Sequence, residues 1–167
     1  MNKIKKNWII IVLLISSIAS ISALIAQYLF NILPCQMCLY QRYPYYFIIL
    51  FSIIYIITKK IPLVLYYWIS SFTFAIGLFF SVWHMGIEQK LLPGLSGCSG
   101  IINNSQSLTN LKEQILNQNI TTCDEITWSF MGLSAATINS ILLIFLLLIN
   151  TIFLIQLHSD RKKLSKE

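Results

Sequence analysis

The chain has 167 residues, 56% of them hydrophobic and only 11% charged, with a formal net charge of +6. A soluble domain usually carries about 25% charged residues, so the polar surface needed to clothe one is missing, and a mean hydropathy of +0.71 marks an integral membrane protein. One crossing takes about 20 apolar residues, so four crossings use roughly half the chain and exclude a separate soluble or nucleotide-binding domain. The basic residues sit at the chain ends and in one short loop, which speaks for membrane orientation and against nucleic acid.

In chain order, a first apolar run covers residues 8–30 and is read as a span. It is too long for a signal peptide, whose apolar region is about 7 to 15 residues. The next run, residues 45–57, covers only about 20 Å as a helix, which is too short to cross. Its helix is therefore expected to start near Pro34, a residue suited to a first helical turn, giving a span over about 35–57 that takes in Cys35, Cys38 and Arg42. Pro44 then lies inside it and should bend it. Lys59 and Lys60 close this span, Pro62 opens a third over about 62–83, and a fourth covers about 131–157.

Between the last two lies the one long polar segment, residues 84–130, with a Gly/Ser-rich turn and then Leu108, Leu111, Ile115, Leu116 and Ile120 at helical spacing. Such a short amphipathic helix would lie on the membrane surface. The expected fold is an all-α integral membrane protein. It is a single domain over 1–167, a four-helix transmembrane bundle with one long outer loop that carries this helix.

Lys and Arg number nine in the two tails and the Lys59-Lys60 loop, against Arg42, Lys90 and Lys112 on the other side. This places both termini in the cytoplasm and all four cysteines on the outer side. Tyr40, Tyr43, Tyr45, Tyr46, Trp83 and Trp128 fit an interfacial aromatic belt on that side.

Cys35 and Cys38 form Cys-Gln-Met-Cys, and Cys98 and Cys123 lie in the outer loop. Four cysteines facing an oxidising compartment read as disulfides, and loop geometry favours Cys35 with Cys38 and Cys98 with Cys123. Closing so short a loop as the first gains little chain entropy. A cysteine in the first turn of a helix, by contrast, faces the positive end of the dipole, which favours thiolate and reactivity. A static brace and a zinc site are the rival readings. The spacing of Cys98 and Cys123 lacks the second close pair of a zinc ribbon, and no metal is expected.

Arg42 follows Cys38 by four positions and Cys35 by seven, so the three are expected on one helical face. A cation at that depth needs a partner or must snorkel. The sharper alternative is a cation that binds the carbonyl oxygen of a lipid-soluble acceptor beside the thiols. His84 and Glu88, one turn apart at the outer end of the third span, stand where electrons and protons must move together, and an imidazole suits proton transfer.

The run Pro34-Cys35-Gln36-Met37-Cys38-Leu39-Tyr40-Gln41-Arg42-Tyr43-Pro44 resembles the signature of the bacterial disulfide bond formation protein B (DsbB) family. The segments around His84, Cys98 and Cys123 resemble its later landmarks in the same order. The resemblance implies a four-helix, multi-pass protein of the bacterial inner membrane. Such a protein reoxidises a periplasmic DsbA-like thiol oxidase and passes the electrons to membrane quinone, ubiquinone or menaquinone. It further implies that Cys98 and Cys123 exchange with the partner, that Cys35 and Cys38 reduce the quinone, and that Arg42 and His84 lie at the quinone site. Energetics agree, since moving electrons from an oxidase at about −120 mV to a thioredoxin-like acceptor at about −270 mV runs roughly 7 kcal/mol uphill. The competing functions are a paralogue dedicated to one client thiol protein and a vitamin K epoxide reductase-like enzyme, which lacks this Gln-Arg context. A non-catalytic membrane protein with structural disulfides or a thiolate metal site is the third.

Overall fold

The computed structural model describes residues 2–94, 122–126 and 128–164. Four long helices run through them: α1 (Asn2–Tyr28), α2 (Gln36–Thr58), α3 (Leu63–Glu88) and α4 (Ala135–Leu164). A small antiparallel hairpin joins β1 (Ser129–Phe130) to β2 (Leu133–Ser134), a non-helical element absent from the all-α expectation. Three of the helices, α1, α3 and α4, are long and apolar enough to cross a membrane. The fourth, α2, opens on a polar third containing Gln36, Gln41 and Arg42.

Each helix buries one stripe and leaves apolar side chains outside. In α1 the inward residues are Lys5, the adjacent pair Trp8 and Ile9, Val12, Ser16 and Ser20, one group per turn, while Ile10, Leu14, Ile18 and Ile21 face out. The polar groups are gathered inside: Ser52 Oγ and Tyr66 Oη lie 2.7 Å apart, and Asn150 Nδ2 donates to the Tyr67 carbonyl at 2.9 Å. An apolar exterior with most interior polar groups paired to one another is what a hydrocarbon solvent favours.

Successive helices pack as neighbours, α1 on α2, α2 on α3 and α3 on α4. At the end holding both termini, α1 also meets α4. There Lys5 Nζ pairs with Asp160 Oδ2 at 2.9 Å, and the Trp8 ring sits edge-on to Phe153, 5.7 Å between centroids. Aromatic contacts continue the core inward, with Phe51 stacked on Tyr66 at 5.3 Å. Gly77 lets α3 approach its neighbours, since a Cβ there would lie 3.3 Å from Leu143 and 3.4 Å from Pro44.

The helix ends shape the site: α2 begins within one residue of expectation, while α3 and α4 differ from it. Helix α2 starts at Gln36, two residues past Pro34, because Cys35 keeps extended backbone (ψ 169°) and caps the helix with its own sulfur. Helix α3 continues beyond residue 83 to Glu88, since His84, Gly86 and Ile87 are buried against neighbouring elements. It closes through Lys90 in the left-handed region (φ 57°), with the Leu91 N–H returned to the Gly86 carbonyl at 2.9 Å. Helix α4 starts at Ala135 instead of near 131. The preceding hairpin turns on Met131 and Gly132, both at positive φ (52° and 79°), as a two-residue type I′ turn requires. Ser134 Oγ then accepts the Thr137 N–H at 3.2 Å and caps α4. The amphipathic helix expected from Leu108 to Ile120 lies outside the described residues.

Candidate functional site

The first turn of α2, the last turns of α3 and the segment around Cys123 converge at the end of the bundle opposite the termini. Cys35 Sγ accepts the backbone N–H of Cys38 at 3.2 Å, the position usually filled by a Ser or Asp oxygen. The same sulfur donates to Cys38 Sγ at 2.8 Å, and both thiols are free. Sulfurs this close reach the disulfide bond length of about 2.05 Å with little more than side-chain rotation.

His84 enters from α3, buried at 4% exposure, with Nε2 3.5 Å from Cys35 Sγ and Nδ1 2.7 Å from Gln41 Nε2. The ring also hydrogen-bonds the Cys123 backbone. One turn on, Glu88 Oε1 lies 3.9 Å from His84 Nε2, and the Glu88 carboxylate accepts the hydroxyl of the α4 cap, Ser134. Cys123 is disulfide-bonded and fully buried, packed with Cys35, Met37 and Ile87, and Cys38, Tyr40, Phe80 and Trp83 border this cluster. Tyr40 stacks on Phe80 at 5.6 Å. Cys98 lies outside the described residues.

Arg42 is placed differently from the cysteines. They face α3, whereas the longer Arg42 side chain leans onto α1 and donates to Gln27 Oε1 at 2.6 Å and to the Ala23 carbonyl at 3.2 Å. The cation thus has protein partners at the depth where the sequence demanded one. Ser16 and Ser20 precede Ala23 and Gln27 on α1, and their buried hydroxyls have no hydrogen-bond partner among the described residues.

Sequence reasoning missed the polar network behind the imidazole. Asn139 Nδ2 donates to Gln41 Oε1 at 2.8 Å and to Ser81 Oγ at 3.1 Å, while the Tyr45 hydroxyl donates to Asn139 Oδ1. Tyr45, expected in the aromatic belt, is therefore an interior residue, 5% exposed. The signal was available: Gln41, Ser81 and Asn139 interrupt apolar runs, and polar groups at membrane depth are costly unless they find one another.

A sulfur pair flanked by N–H donors and an imidazole is equipped for thiol–disulfide exchange. The donor atoms of Cys35, Cys38 and His84 lie within 4.8 Å of one another and so also match a soft-metal ligand set. The model of the family described as disulfide bond formation protein DsbB matches residues 5–153. A relative in Rickettsia prowazekii (strain Madrid E), named only as an uncharacterized protein, is 30% identical over 144 residues, covering 83% of this chain and 81% of its own. No solved structure matches the chain.

Proposed function

We propose, from the premise that this chain belongs to the disulfide bond formation protein DsbB family, that it is a thiol:quinone oxidoreductase that reoxidises a DsbA-like thiol oxidase. It works in the bacterial inner membrane as a four-span protein, with α2 as the fourth span, both termini cytoplasmic and the cysteine end periplasmic. The observation that carries the reading is the gathering of buried Cys35, His84 and disulfide-bonded Cys123 with half-buried Cys38 at one end of an apolar bundle.

In this reading a Cys98–Cys123 disulfide is attacked by a thiolate of the reduced oxidase. The oxidase closes its own disulfide, and the electron pair is left on Cys98 and Cys123 as thiols. Exchange between the two cysteine pairs restores Cys98–Cys123 and leaves Cys35 and Cys38 reduced. When these close into a disulfide they release two electrons and two protons, and a bound quinone supplies the acceptor for both. The residues present fit such a group: Arg42 spends only part of its N–H fork on α1, and the orphaned Ser16 and Ser20 hydroxyls on the same helix are further donors. Arg42 would hold a carbonyl oxygen, and His84, with Nε2 3.5 Å from Cys35 Sγ, would hydrogen-bond that sulfur during exchange.

The test is quinone reduction by the purified protein in detergent, with a reduced periplasmic thiol oxidase as donor. Turnover that needs both cysteine pairs is expected, and no electron transfer from the oxidase would overturn the reading. The Cys35, Cys38 and His84 cluster also favours a second reading as a thiolate metal site. Stoichiometric metal in the purified protein, with no quinone turnover, would decide for it.

A further inference from the structure

The bonds around His84 determine which ring nitrogen carries its proton, and the group that sets them lies several contacts away. The backbone carbonyl of Ala136, at the start of α4, can only accept. Ser81 Oγ donates to it at 2.9 Å, nearer than its other acceptor, Gln41 Oε1 at 3.4 Å, and Ser81 in turn accepts from the Ser140 hydroxyl at 3.0 Å. Ser81 therefore meets Asn139 as an acceptor, so the NH2 end of Asn139 faces it at 3.1 Å. The same nitrogen reaches Gln41 Oε1 at 2.8 Å, while the oxygen of Asn139 takes the Tyr45 hydroxyl. With its oxygen engaged by Asn139, Gln41 turns Nε2 to His84 Nδ1 at 2.7 Å. An amide nitrogen only donates, so Nδ1 accepts and the proton of the neutral ring sits on Nε2.

We infer that Gln41, oriented by Asn139 and Ser81, is a positioning residue that holds His84 in the Nε2–H tautomer and so aims a hydrogen-bond donor at the Cys35 sulfur. Nε2 lies 3.5 Å from Cys35 Sγ and 3.9 Å from Glu88 Oε1. Both are groups able to receive that proton's hydrogen bond. Together with the Cys38 N–H at 3.2 Å, it stabilises negative charge on Cys35 when that sulfur attacks or departs during exchange. The opposite tautomer would turn a lone pair toward the sulfur and lose this bond. The use made of the tautomer rests on the thiol:quinone reading, but the tautomer itself does not.

Nitrogen-15 NMR of the full-length protein in detergent, labelled at histidine, tests this directly. Of the two histidines, His158 is exposed and is replaced (His158→Asn), leaving His84 as the single reporter. The expected spectrum has a protonated Nε2 and an unprotonated Nδ1. Gln41→Glu keeps an acceptor for Asn139 but presents one to Nδ1 as well, so the proton should move to Nδ1. The rate at which a small alkylating reagent takes Cys35 should then fall by about tenfold, as for the loss of one charge-assisted hydrogen bond. Gln41→Met should leave a mixture of tautomers. A proton on Nδ1 with Gln41 in place, or one that Gln41→Glu leaves on Nε2, would overturn the inference. The first measurement decides even if the variants do not fold. Absent quinone turnover in a protein with the Nε2–H tautomer would remove the function reading alone, and the wrong tautomer in an active protein would remove this inference alone.

Discussion

Removing the Arg42 guanidinium separates its two roles, one toward α1 and one toward the acceptor. Toward α1 it makes the 2.6 Å bond to Gln27 Oε1 and the 3.2 Å bond to the Ala23 carbonyl. Toward a quinone carbonyl it would add one charge-assisted bond, worth about 1.5 to 3 kcal/mol. If that bond acts in the transition state, Arg42→Gln lowers quinone-dependent kcat/KM by roughly 10- to 150-fold, while thiol exchange with the partner oxidase changes little. Gln27→Leu is the control: it breaks the shorter α1 bond and leaves the guanidinium, so it should destabilise by about 1 to 2 kcal/mol yet keep quinone turnover per folded molecule. Arg42→Lys should recover part of the loss, because charge survives and the planar fork does not. The assay is steady-state quinone reduction per folded protein, with exchange measured in parallel. Unchanged quinone kinetics in Arg42→Gln, or full recovery with lysine, would refute the reasoning and leave Arg42 as an anchor between α1 and α2.

Asp160→Asn strands the buried Lys5 ammonium; with Asp160 itself partly exposed, the loss should fall at or below the lower end of the roughly 3 to 5 kcal/mol seen for broken buried pairs, read as a lower thermal midpoint in detergent. Gly77→Leu should cost about 1 to 3 kcal/mol by overpacking against Leu143 and Pro44, whereas Gly77→Ala should be milder because the Leu143 side chain can turn away; equal midpoints for the two variants would contradict the close approach. A membrane-impermeant thiol reagent applied to spheroplasts after reduction should label Cys98 of the outer loop, and labelling only after permeabilisation would reverse the orientation. A partner oxidase with one cysteine should trap a mixed disulfide on protein that retains Cys98, and trapping only through Cys123 would exchange their roles.

Three of the helices were legible as apolar runs, and α2 because its 45–57 run was too short to cross unless the helix began near Pro34. Their ends were not. His84 and Glu88 look like the polar close of a span, yet α3 continues through them because they face protein instead of water. The turn at Met131 and Gly132 lacks the Asn-Gly or Asp-Gly signature of a type I′ hairpin, so the chain before α4 looked like the helix's own beginning. The cysteine pair and His84 could be named from type and position, but not Gln41 and Asn139. A single amide in a helix carries no visible partner, and theirs are 98 positions apart in the chain.

Because the sulfur of Cys35 is also the N-cap of α2, the start of this helix is chemically tied to the oxidation state of the protein. A Cys35 thiolate formed during exchange would be a stronger acceptor for the Cys38 amide than the thiol or a disulfide sulfur, so a redox cycle would tighten and loosen the same turn by some fraction of the about 0.5 to 2 kcal/mol an N-cap is worth. Amide hydrogen exchange at Cys38 would then report on the cycle, slowest while Cys35 carries charge and faster once it is bridged. The first turn of α2 would then respond to electron transfer while the rest of the helix stays held between α1 and α3.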